Sequence, residues 1–107
     1  MEEKDIVRAL SALAHEHRLQ VFRLLVVAGR TGLTPGAIIE ALGIAPATLS
    51  FHLKELAHAG LIDQQREGRH LIYHAAFGRM NEVLAYLTEN CCQGEACLPA
   101  PSTSCEC

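Results

Sequence analysis

The chain has no tryptophan, and aromatic residues make up only 5% of its 107 positions. Aliphatic and alanine side chains must therefore fill the core, which favours packed helices. No hydrophobic run approaches the roughly 20 residues of a membrane span. Met1-Glu2-Glu3-Lys4-Asp5 lacks the apolar stretch of a signal peptide, and the expected location is the cytoplasm, with no membrane partner. Positive charge is in deficit: Lys and Arg number 9 against 12 Asp and Glu, for a net charge of -3. Charge balance alone therefore does not select a nucleic acid as partner. There is also no nucleophile–base constellation and no phosphate-binding loop, so an enzyme is not expected.

Cysteine is missing from the first 90 residues, so no disulfide can staple the core. All 5 cysteines come later, as Cys91, Cys92, Cys97, Cys105 and Cys107. In a reducing compartment such a cluster reads as a metal or redox site, and the odd count argues against a closed disulfide framework. Half of the residues are hydrophobic, in a chain long enough for one domain with a small core. Some of that apolar sequence is expected in a dimer interface.

The apolar spacing of Ile6, Val7, Leu10 and Leu13 predicts a helix over Asp5–Leu13. A second helix is expected from His15 to about Ala28, ending at Gly29-Arg30-Thr31-Gly32. Thr34-Pro35 reads as a cap and a first-turn proline opening a short helix to Leu42, which Gly43 stops. Pro46 opens a fourth helix reaching Ala59, where Gly60 supplies the left-handed stop. Ala45 stands where its capping side chain would be, at a cost of about 1 kcal/mol. Leu61–Arg66 and Arg69–Ala75 read as a hairpin joined at Glu67-Gly68. A last helix is expected from Gly78 to about Asn90, with Met80, Val83, Leu84 and Leu87 on it. The Pro/Ser-rich run after Cys97 predicts a flexible tail.

Short helix, glycine turn, longer helix, hairpin is the order of a winged helix-turn-helix. The fold class expected is mainly α with one β-hairpin. A helix fits the DNA major groove with its first turns on base edges. Thr48, Ser50 and His52 are read as the groove-facing residues, with Lys54 beside them. Leu49, Leu53 and Leu56 form the opposite, core-facing stripe. Arg66 and Arg69 flank the hairpin tip, within reach of phosphate or the minor groove. The plain alternative is an ordinary solvated helix face.

Several segments together resemble the ArsR/SmtB family of metal-responsive bacterial repressors. They are Ala12-Leu13-Ala14-His15-Glu16-His17-Arg18-Leu19, Leu42-Gly43-Ile44, Ser50-Phe51-His52-Leu53-Lys54-Glu55-Leu56, Ala59-Gly60-Leu61-Ile62 and Arg66-Glu67-Gly68-Arg69. The resemblance implies a homodimer built on the first and last helices and bound to double-stranded operator DNA carrying an imperfect inverted repeat. It divides the chain into a DNA-binding and dimerisation domain, residues 1–90, and a cysteine-rich metalloid-binding segment and tail, residues 91–107.

Two sensor sites familiar in that family are absent from this sequence. Leu33-Thr34-Pro35-Gly36-Ala37-Ile38-Ile39-Glu40 holds no Cys-x-Cys, and Gly78 to Asn90 holds no histidine. What remains is Cys91, Cys92 and Cys97, which resembles arsenite repressors with three C-terminal cysteines. Trivalent arsenic is soft and takes three thiolates in a pyramid, whereas zinc takes four ligands. Arsenite is therefore the expected inducer, with antimonite beside it. Adjacent residues project about 100° apart on a helix, so Cys91 and Cys92 need frayed helix to share an ion, and Gly94 lets the chain bring Cys97 back.

Cys105 and Cys107 read as redundant thiols or auxiliary ligands. His15 and His17 read as polar helix-start residues rather than ligands. The competing functions are a cadmium, lead or zinc sensor, a thiol-redox repressor, and a metalloid-binding buffer or chaperone.

Overall fold

The computed structural model describes residues 2–89. Helix α1 (Glu3–Leu13) turns Ile6, Ala9 and Ala12 inward, a stripe with a period of three residues. Helix α2 (Glu16–Ala28) begins at His15, whose Nδ1 accepts the His17 N–H at 3.1 Å. It buries Val21, Phe22 and Leu25 and runs into a 3-10 turn, Gly29–Thr31. Arg18 Nε donates to the Ala12 carbonyl at 2.7 Å, tying the end of α1 to the start of α2.

Helix α3 (Pro35–Leu42) starts as the sequence predicts, with Thr34 Oγ1 accepting the Ala37 N–H at 3.2 Å and Pro35 in the first turn. Gly43 ends it in the left-handed region at φ 67°. Helix α4 (Pro46–His58) follows after Gly43-Ile44-Ala45, and Ala45 gives it no side-chain cap. Its inward stripe is Leu49, His52, Leu53 and Leu56.

Strands β1 (Ile62–Glu67) and β2 (His70–Ala75) pair antiparallel, from Ile62 opposite Ala75 to Glu67 opposite His70. The turn is therefore Gly68-Arg69, one residue later than predicted. Gly68, at φ 63°, takes the first turn position, so Glu67 stays paired and Arg69 leaves the strand for the tip. A further backbone bridge joins Tyr73 of β2 to Leu33.

Helix α5 (Phe77–Thr88) buries Val83 and returns to α1, where the Tyr86 hydroxyl donates to Glu3 Oε1 at 3.1 Å. It starts one residue earlier than expected, as α1 starts two residues earlier. One core gathers residues from all five helices and both strands. Its fully buried members include Leu25, Ile38, Leu56 and Leu61, each contributing about 1.5–3 kcal/mol. Val7 and Leu10 on α1 and Leu84 and Leu87 on α5 remain exposed. Among the described residues no single helix is long and apolar enough to cross a membrane.

Candidate nucleic-acid interface

Helices α3 and α4 meet at 115°, across a three-residue turn held open by Gly43. This is the geometry in which a second helix projects far enough from the body to enter a major groove. Burying Leu49, His52, Leu53 and Leu56 fixes which side of α4 points outward. At about 100° per residue, the outermost line runs through Ala47, Phe51, Lys54 and His58, and all four are exposed.

Thr48 and Ser50 are exposed near the start of the same helix, as predicted. They stand two residues apart, about 200° around the helix, and so flank the outward line on opposite sides. Ser50 and Lys54 border the groove between α4 and the hairpin, together with Asp63, Gln64 and Leu71. Phe51 lies between the two hydroxyl residues and is 55% exposed. An apolar group there suits the methyl group of thymine. The sequence signal for Phe51 is its place two residues from Leu49, opposite the buried stripe.

The hairpin is polar along β1, where everything from Asp63 to Glu67 is exposed. Strand residues alternate between faces, which sets Arg66 on the face opposite Asp63 and Glu67. Arg69 stands in the turn itself. Both arginines are exposed and sit at the turn end of the hairpin, a placement suited to phosphate contacts.

His52 does not lie on the outward face. It is 4% exposed and packs inward from α4 against the start of α2. The reason is its spacing: it follows Leu49 by three residues and precedes Leu53 and Leu56, so it belongs to the core stripe. Its ring centroid is 4.6 Å from that of His15 and 5.6 Å from that of His17, and the His15 and His17 centroids are 5.8 Å apart. His52 Nδ1 is buried without a hydrogen-bond partner among the described residues. A buried polar atom left so costs about 1–3 kcal/mol. Burial, and then the neighbouring His15, Arg18 and His17, hold its pKa below the ordinary histidine value. The grouping of these three histidines was not legible in the sequence. Cys91, Cys92, Cys97, Cys105 and Cys107 lie outside the described residues.

The family described as "Helix-turn-helix domain" matches residues 13–65 of the chain. That span covers α2, α3, α4 and most of β1. The chain is thus a winged helix-turn-helix protein, similar to transcriptional regulators of the ArsR and HlyU type. The HTH-type transcriptional regulator YgaV of Escherichia coli K12 is 29% identical over 83 residues, covering 78% of this chain and 82% of that protein. HlyU from Vibrio cholerae N16961 superposes with a TM-score of 0.64 at 29% identity, covering 81% of this chain and 97% of that one. Mb0332 from Mycobacterium bovis is a homodimeric winged helix-turn-helix DNA-binding domain and a possible ArsR-family transcriptional regulator. It superposes with a TM-score of 0.64 at 26% identity, covering 90% of this chain and 89% of that one.

Proposed function

We propose that the chain is a homodimeric transcriptional repressor of an arsenic-resistance operon, released from its operator when trivalent arsenic or antimony binds Cys91, Cys92 and Cys97. The observation that carries the DNA-binding half is the 115° crossing of α3 and α4, with Thr48, Ser50, Phe51 and Lys54 exposed on α4. Arg66 and Arg69 on the wing add phosphate contacts to this face. The dimer half is supported by the uncovered apolar residues Val7, Leu10, Leu84 and Leu87, on two helices that touch through Tyr86 and Glu3. The homodimeric state of Mb0332 points the same way.

The inducer half rests on the chemistry of the donors. Three thiols within seven residues match the preference of a soft trivalent metalloid. Cys91 follows the last residue of α5, Thr88, by three positions. A ligand held by these thiols therefore sits next in sequence to a helix of the proposed dimer interface. Cys105 and Cys107 serve as auxiliary donors at most.

A second reading is a thiol-redox repressor in which Cys91-Cys92, or one of them with Cys97, oxidises. It is favoured by one observation, that HlyU of Vibrio cholerae has a structure described as reduced. One experiment separates the two. The chain selects its operator from a random-sequence DNA pool, and release is followed by fluorescence anisotropy. Arsenite, antimonite, methylarsenite, cadmium, lead, zinc and a disulfide oxidant are compared. Release by arsenite under reducing conditions, lost in Cys91→Ser, Cys92→Ser and Cys97→Ser, supports the proposal. Release by the oxidant alone supports the redox reading, and a full arsenite response in Cys92→Ser rules out the three-thiolate site.

A further inference from the structure

We propose that His15, His17 and His52 form a second, thiol-independent metal site, a three-imidazole centre for a divalent transition ion of the zinc, nickel or copper type, joining the start of α2 to the DNA-reading helix. One nitrogen from each ring lies within 4.8 Å of the other two. The fold itself builds this convergence: His15 caps α2, His17 sits in its first turn, and His52 faces them from α4.

A bland packing role does not account for the cluster. His52 is 4% exposed, and its Nδ1 has no partner among the described residues. With His15 and His17 gathered around His52, the three imidazoles repel one another when protonated. As neutral rings they present lone pairs that a metal ion can use.

The donor set selects the ligand class. Imidazole suits zinc, copper, nickel and iron, whereas calcium and magnesium take oxygen ligands and trivalent arsenic takes thiolates. Three histidines leave a tetrahedral ion one open position for water. Bonds of about 2.0–2.1 Å bring tetrahedral nitrogens to about 3.3 Å from one another, so the rings must close in from their present spacing. His15 is exposed and His17 half-buried, so these two rings can move toward the buried His52.

Ligation carries a local cost. His15 Nδ1 now accepts the His17 N–H, and a neutral imidazole has only one free lone pair. Bonding a metal through either nitrogen of His15 therefore ends the cap of α2. A metal bridge between α2 and α4 replaces it. The Arg18 charge, near enough to act on His52, opposes binding, and its Nε donates to the Ala12 carbonyl.

The test uses the untagged full-length chain with all five cysteines changed to serine, so that failure of the thiol reading cannot affect it. Zinc and cobalt(II) are titrated by calorimetry and by visible absorption. The expected result is one ion per chain, a nitrogen-ligand cobalt spectrum, and a rise in the thermal midpoint with zinc. His15→Asn keeps a capping oxygen at the helix start but removes the imidazole, and His17→Gln alters a half-buried position. Each is expected to weaken zinc binding at least tenfold while leaving the circular dichroism spectrum unchanged. Absence of binding in the cysteine-free chain, or unchanged affinity in both variants, would overturn the proposal.

Discussion

Leu33 and Tyr73 exchange two backbone hydrogen bonds, Leu33 N–H to Tyr73 O at 3.0 Å and Tyr73 N–H to Leu33 O at 2.8 Å. The pair fastens the wing to the segment just before α3. Gly32, beside it, has φ 68°, and a Cβ there would stand 2.6 Å from the Tyr73 carbonyl oxygen and 2.6 Å from Ile72 Cγ2. Gly32→Ala should therefore destabilise the fold by at least about 1–3 kcal/mol, since both backbone strain and a clash with main chain oppose it. Urea unfolding measures this. A variant as stable as the parent would show that the wing tolerates displacement from Leu33.

The α4 face and the wing should respond differently to substitution. Thr48→Ala, Ser50→Ala or Phe51→Ala should each cost about 1–3 kcal/mol on the selected operator and relax its sequence preference. Arg66→Ala and Arg69→Ala should weaken binding to all sequences and lower the salt slope by about 0.9 for each phosphate that is no longer neutralised. Operator binding that survives alanine at Thr48, Ser50, Phe51, Arg66 and Arg69 together would show that this is not the DNA surface.

His52 makes stability depend on pH with a definite sign. Its pKa in the fold is lowered, so the unfolded chain takes up a proton first as pH falls. Stability is greatest above the unfolded value of about 6.5 and is lost as pH drops from there toward the folded value. The urea midpoint should fall between pH 7.5 and 5.5, and His52→Phe should flatten that slope. An unchanged slope in the variant would assign the effect to other groups.

Arsenite and operator must be linked reciprocally if the thiols control DNA binding. Saturating operator should weaken arsenite binding by the factor by which arsenite weakens operator binding, and a useful switch needs at least tenfold, about 1.4 kcal/mol. Titrating arsenite with and without operator measures both. Equal affinities would leave the cysteines as a metalloid buffer.

The sequence announced those parts of the fold that are encoded locally. Thr34-Pro35 and Pro46 opened helices, Gly43 and Gly60 closed them, and the hairpin fell where turn residues separate two extended runs. The turn register slipped by one because both Glu67-Gly68 and Gly68-Arg69 contain the needed glycine, and only pairing decides between them. Thr48, Ser50 and Lys54 were placed on the solvent side by the leucines between them. His52 shares a face with Thr48 by its four-residue spacing, but its three-residue spacing from Leu49 sets it in the core stripe, and burial decides between the two. The three-histidine cluster joins two helices distant in sequence, and no local pattern encodes such a meeting. The cysteines all follow Asn90 and lie outside the described residues.

Val7, Leu10, Leu84 and Leu87 lie bare on a chain whose core is small. If a second copy covers them, folding becomes a bimolecular event, and the midpoint of unfolding rises with protein concentration. Cellular abundance then sets more than how many operators are occupied. It also sets what fraction of chains hold their fold.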